Sequence, residues 1–196
     1  MVDLGAGTGR LAIPLAEEGY RVTAVDPSAA MLDVLTARTE AKVACVTSTA
    51  AAFSSDSEVD LVLCVFSVLT YITGAAGLSR TLHTISRVLN PSGHLIVSIP
   101  SPEVLHSYEH ETDDMDRRVD VEDLGDSLFR YRERTRVLIS HVWRSFEDEF
   151  DLRLWTRSEV MEAAQAAGMV EAADVSADFE DWGAEYLILE KAIAPA

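Results

Sequence analysis

The sequence predicts an α/β fold, a doubly wound and mostly parallel sheet, and three observations carry that prediction. The chain opens on a short apolar run that breaks at once into alternating glycines. Apolar strand-like runs then alternate with segments whose apolar residues recur at helical spacing. The run at residues 59–66 is apolar throughout but for Asp60, as a strand covered on both faces requires. The 196 residues suit one domain with a single sizeable core.

Residues 2–4 read as the end of a buried strand. Gly5, Gly7 and Gly9 make a tight turn, and residues 11–18 read as a helix. Glycine has no Cβ to hold a ligand away and tolerates positive φ. The helix start beyond it adds unpaired N–H groups and a partial positive charge. Pro14 predicts a bend or a late start, and Gly19 a C-cap. A second strand at residues 21–25 delivers Asp26, about 20 positions beyond the glycines, where an acidic side chain can accept from ribose hydroxyls. Pro27 stops that strand, and Ser28 caps a helix with Met31, Leu32 and Leu35 on its apolar stripe.

Dinucleotide enzymes use G-x-G-x-x-G in this place. Here the spacing is G-x-G-x-G, with Arg10 at the sixth position. Val2-Asp3-Leu4-Gly5-Ala6-Gly7-Thr8-Gly9 resembles motif I of the class I S-adenosylmethionine-dependent methyltransferases. The resemblance implies that the loop backbone lies along the methionine moiety and that Asp26 holds the ribose.

Residues 42–47 read as the third strand. In the family a G-D-A-x-x-(L/F) stretch often follows it, and its Asp binds the adenine amino group. This chain has Thr49 in the Asp position of Ser48-Thr49-Ala50-Ala51-Ala52-Phe53, which keeps a hydroxyl and loses the charge. The fourth strand, residues 59–66, runs into Ser67-Val68-Leu69-Thr70-Tyr71-Ile72. That stretch resembles the family's motif IV, where the strand end faces the sulfonium and the acceptor. The resemblance thus sets Asp3, Gly5, Ala6, Gly7, Gly9, Asp26, Pro27, Thr49, Ala50, Phe66 and Ser67 around S-adenosyl-L-methionine. Tyr71 reads equally as an acceptor contact or a packing aromatic.

Residues 77–89 form an amphipathic helix, residues 90–93 a turn by composition, and residues 94–99 a fifth strand. The segment at 100–116 leaves the carboxyl edge of the sheet, where open α/β sheets bind ligands. It holds His106, Tyr108, Glu109 and His110, which with Tyr71 are the candidates for base or acceptor orientation. His106 to His110 also spells H-x-x-E-H, a zinc-protease pattern that needs a helix. The prolines at 100 and 102 leave no room for a long one, so the expectation is an acceptor-binding loop without metal.

From residue 117 the pattern turns extended, with β-branched and aromatic residues alternating with charges. Residues 113–154 read as a small antiparallel β insertion, and residues 124–127 as a turn within it. In some small-molecule methyltransferases such an insertion roofs the acceptor site, and it can form dimer contacts, so a homodimer through it is expected. The arginine and glutamate alternation has the simpler reading of cross-strand ion pairs. Thr156-Arg157-Ser158-Glu159 is a capping box opening a helix to residue 167. Residues 170–175 and 185–190 read as two closing strands. The resemblance makes the last of them antiparallel, in a Rossmann-like sheet within one methyltransferase domain over 1–196.

The formal charge of −17 argues against nucleic acid as partner. No apolar run suits a membrane span, and the start does not read as a signal peptide. Cys45 and Cys64 sit in apolar runs and read as buried thiols of a cytoplasmic protein. Only Met1 precedes the first strand, which leaves a truncated start or an unusually short strand. The function expected is methyl transfer from S-adenosyl-L-methionine to a small-molecule acceptor, nitrogen being favoured. The alternatives are an NAD-dependent oxidoreductase, against which Arg10 and the closing hairpin count, and a non-catalytic interaction module.

Overall fold

A computed structural model describes residues 1–192, without the side chains of residues 180–182. In chain order the elements are β1 (Val2–Leu4), α1 (Ala12–Glu17), β2 (Val22–Asp26), α2 (Ala29–Ala37), β3 (Val43–Thr47), β4 (Val59–Cys64), α3 (Ala75–Val88) and β5 (Leu89–Pro100). Four strands follow, β6 (Tyr108–Glu111), β7 (Met115–Gly125), β8 (Leu128–Ile139) and β9 (Val142–Arg153). The described chain closes with α4 (Arg157–Ala166), β10 (Met169–Asp174) and β11 (Ala184–Lys191).

The main sheet has the order β10-β11-β5-β4-β1-β2-β3. β1 to β5 are mutually parallel, and β11 runs antiparallel to both β5 and β10. The order reverses at β1, so the carboxyl ends of β1, β2 and β4 frame the crevice where such sheets bind ligands. The largest apolar cluster includes Leu4, Val62, Leu82, Ile85, Leu95, Val97, Trp155 and Leu187. A smaller one of Ala12, Val22, Ala24, Leu32 and Leu35 seats α1 and α2 on the opposite side of β2 from that core. Pro14 sits in the first turn of α1, which starts late, at Ala12. Thr156 caps α4 through the full reciprocal box with Glu159.

Three local expectations are corrected. Residues 90–93 are not a free turn but an irregular bulge within β5, where pairing jumps from Val59↔Leu89 to Leu61↔His94. The Asn90 side chain bridges it, accepting from the Ser92 N–H at 2.9 Å and donating to Asp60 at 2.6 Å. Cys45 is exposed, because β3 is the sheet's edge; only Cys64 is buried. The segment after β5 is not loop throughout, since its residues 108–111 form β6, the edge strand of a separate four-stranded sheet, order β6-β7-β8-β9. That sheet therefore begins before residue 113. Its two long hairpins turn at Asp126–Ser127 and Ser140–His141, all four at positive φ, as the tight turns that match strand twist demand.

Candidate active site

The site is built from the turn after β1. Gly5 and Ala6 donate to the Val25 carbonyl at 2.8 and 3.1 Å, which folds the turn against the end of β2. The three glycines have different reasons. A Cβ on Gly5 would stand 2.5 Å from a Val68 methyl, and one on Gly9 would meet Ile13 and Leu35 at 2.7 Å. Gly7 is different. Its φ is +52°, yet nothing lies within 4 Å of where its Cβ would be. Bare backbone faces open space there, a cradle for a ligand chain.

Asp26 closes one side of that space. Its Oδ2 accepts from the Gly7 N–H at 2.9 Å and its Oδ1 from the Ser28 N–H at 2.8 Å. A carboxylate has roughly four acceptor positions, so about two remain for a partner such as a diol. The Asp26 carbonyl receives the Ser48 N–H at 3.1 Å, which brings the exposed Thr49 and the half-buried Ala50 to the same edge. Exposed Pro27 follows directly. Asp3 is buried below the turn. Burial, with the charge of Asp26 adding, pushes its carboxyl up to about 7 against the opposing Ala12 N–H.

The other side is the end of β4. Phe66 and Ser67 both hold positive φ, 57° and 66°. Each such non-glycine residue stores roughly 1–3 kcal/mol of strain, which persists only where the surroundings impose it. They do so here. The Ser67 carbonyl accepts both the N–H and the hydroxyl of Thr70, at 3.0 and 2.6 Å. The buried Trp155 indole donates to the carbonyls of Leu69 and Ile72, at 3.0 and 2.9 Å. Val68 abuts Gly5. The guanidinium of Arg10 lies 4.2 Å over the Phe66 ring. Arg10 thus belongs to the site although the motif assigned it only a negative role, and Trp155 was invisible because nothing in its neighbours' spacing ties it to the β4 loop.

Tyr71 ends the 3-10 turn Val68–Tyr71 that follows. Its ring is 5.4 Å from Phe150 of β9, which stacks on Tyr131 of β8 at 5.0 Å. The residue as a whole is exposed, but crowding at its hydroxyl, then the charges of Asp148, Glu133 and Asp26, push its pKa up. So Tyr71 senses both the β2 carboxylate and the acidic face of the second sheet. Tyr108 joins this wall through Arg117, which lies over its ring at 5.6 Å and bonds Glu133 at 2.8 Å. The remaining candidates sit at its margin, His106 with its ring 5.7 Å from that of Tyr108. His106 is exposed, with Nδ1 at the Glu103 carbonyl, and Glu109 is exposed and paired with Arg118. His110 is exposed on β6, so the H-x-x-E-H pattern falls across a loop and a strand rather than on a helix.

Residues 1–93 match the family described as a methyltransferase domain. An uncharacterized methyltransferase of Mycobacterium tuberculosis is 40% identical over 95 residues, 48% of this chain and 37% of that protein. The chain therefore matches well under half the length of the curated relatives it resembles. Among solved structures, an S-adenosylmethionine-dependent methyltransferase from Clostridium acetobutylicum superposes with a TM-score of 0.88 at 18% identity, covering 98% of this chain and 83% of that one. A sugar N-methyltransferase from Streptoalloteichus sp. ATCC 53650 gives a TM-score of 0.80 at 19% identity, covering 98% and 79%. At these identities the likeness is one of fold. It takes in nearly the whole chain, both sheets included, and not only the matched first 93 residues.

Proposed function

We propose that the chain is an S-adenosylmethionine-dependent methyltransferase acting on the nitrogen of a small-molecule amine. One observation carries the reading: the glycine turn offers bare backbone at Gly7 beside Asp26, whose two backbone N–H partners fix its direction and leave acceptor positions open. The residues fit the cofactor. Gly5, Ala6 and Gly7 would lie along its methionine part, Asp26 at the ribose, and Thr49 with Ala50 and Pro27 at the adenine. Gly9 and Asp3 shape the turn from behind. Phe66 and Ser67 would stand at the methyl end. When bound, S-adenosylmethionine supplies an activated methyl group; the protein supplies orientation and field.

The nitrogen preference rests on the field at Tyr71, set by Asp26, Asp148 and Glu133. Negative potential draws in a protonated amine. An amine sheds its proton to solvent before it attacks, so no dedicated base is needed. The sugar N-methyltransferase among the structural neighbours supports the same direction. In this reading the sheet β6–β9 is a subdomain inserted in one methyltransferase domain, roofing the acceptor through Phe150, Tyr131 and Tyr108. The exposed Val142, Trp143 and Phe146 at its hairpin tip offer a surface for a second copy. The unbridged Cys45 and Cys64 suit a cytoplasmic setting. The test is mass spectrometry of a panel of small amines, alcohols and phenols incubated with the protein and S-adenosylmethionine. The expected outcome is one added methyl on an amine, and methylation of oxygen acceptors alone would overturn the nitrogen assignment.

A further inference from the structure

Beyond β1 from Asp26, a cavity of about 360 Å³ opens between the ends of β4, β5 and β11. Arg10, Phe66, Ser67, Ser98, Pro100 and Tyr186 are among its walls. In a chain of net charge −17, none of its lining residues among those described is acidic. Ser98 is 1% exposed, and its hydroxyl has no hydrogen-bond partner among the described residues. Buried hydroxyls are nearly always paired, and one left unpaired next to a cavity calls for an explanation. Among the described residues no carboxylate lies within ion-pair distance of Arg10. Its charge reaches the buried Tyr186, acting against the desolvation that raises that phenol. The far wall is firm: Ser101 donates to the Gly183 carbonyl at 2.9 Å, and a Cβ on Gly183 would stand 2.7 Å from Val104.

A guanidinium, a buried hydroxyl and a phenol, with no acid among them, form a donor set for a carboxylate. Ser67 ties this cavity to the proposed amine end, since it lines the cavity and precedes the turn that carries Tyr71. We propose that the cavity takes a carboxylate of the methyl acceptor, with Arg10 and Ser98 donating to it. The acceptor is then a zwitterion of the amino-acid type, its amine in the negative field at Tyr71 and its carboxylate at Arg10. This rests on the amine methyltransferase reading above.

The test uses the full chain saturated with S-adenosylhomocysteine and ligand-observed NMR titration. The probes are glycine, β-alanine and 4-aminobutyrate, each against the alkylamine in which a methyl replaces the carboxylate: ethylamine, propylamine and butylamine. One amino acid at least binds about tenfold or more tightly than its alkylamine, the scale of a charge-assisted pair. Arg10→Met removes that preference and weakens S-adenosylhomocysteine far less than the amino acid, and Ser98→Ala cuts the preference several-fold while keeping its affinity for S-adenosylhomocysteine. A buried serine of structural use only would leave the preference untouched in Ser98→Ala. The inference is overturned if alkylamines bind as well as the amino acids, or if the preference survives Arg10→Met. It is also overturned if Arg10→Met weakens S-adenosylhomocysteine as much as the amino acid, which would give the cavity to the cofactor's own carboxylate. Binding of alkylamines and S-adenosylhomocysteine without a carboxylate preference sinks this inference alone. No binding of S-adenosylhomocysteine or of any amine sinks the methyltransferase reading with it.

Discussion

The seven-stranded sheet buries residues such as Val62, Cys64, Leu95 and Val97 between helices, while the second sheet leaves the first eight of the twelve residues of β9 exposed and ties its strands with arginine–carboxylate pairs. Arg117–Glu133, Arg130–Asp151 and Arg132–Glu149 run across it in series. Apolar burial is worth about 25 cal/mol per Å² and holds its geometry, whereas exposed ion pairs contribute little each and yield to salt. The difference suits the two tasks proposed for them. A fixed cofactor has to be met by a rigid turn, and a cover over the acceptor has only to close and open.

The contrast is sharpest at the joint between the sheets. Trp155 buries its ring and donates to two carbonyls of the β4 loop, so Trp155→Ala should cost about 3–5 kcal/mol in urea unfolding, cavity and lost hydrogen bonds together. A loss below about 1 kcal/mol would mean that the loop is held in some other way.

Next in size is a pH effect belonging to the main sheet. The Asp3 carboxyl is pushed up to about 7 in the folded protein, against an ordinary 3.8. The folded state therefore holds a proton that the unfolded chain has released, and its contribution to stability falls as pH rises from about 4 to about 7 and is flat above. Asp3→Asn lacks this slope. The difference in unfolding free energy between the two proteins should change by roughly 4 kcal/mol across that window, and parallel curves would contradict the burial argument.

Within the turn, two glycines separate folding from binding. Gly5→Ala strains the backbone and strikes Val68, and should destabilise by about 2–3 kcal/mol. Gly7→Ala meets no neighbour and should cost only about 1 kcal/mol, yet weaken S-adenosylhomocysteine about tenfold or more. Equal effects of the two on both readouts would erase the distinction. The smallest effect is expected in the second sheet, where Arg132→Met should lower Tm by no more than about 2 °C and by less still in 0.5 M salt.

The same contrast governs how much could be read from the sequence. The glycine turn, Asp26 and the alternation of strands with helices are local: spacing along the chain places the groups, and the structure puts Asp26 against Gly7. The capping box at Thr156 was legible for the same reason. The bulge at Asn90 was not, because turn composition cannot tell that pairing with β4 resumes four residues later. Nor was β6, whose four residues, three of them exposed, find a partner only when β7 folds back on them. Arg10, Ser98 and Tyr186 meet from three distant segments, and no spacing rule links them.

Calorimetric titration of S-adenosylhomocysteine into the wild type and Asp26→Ala tests the central claim most directly. The account predicts micromolar binding by the wild type, about −8 kcal/mol, and a loss of roughly 100-fold in Asp26→Ala with the fold retained by circular dichroism. Equal affinity in the two proteins, or no binding by the wild type at millimolar ligand, would contradict it.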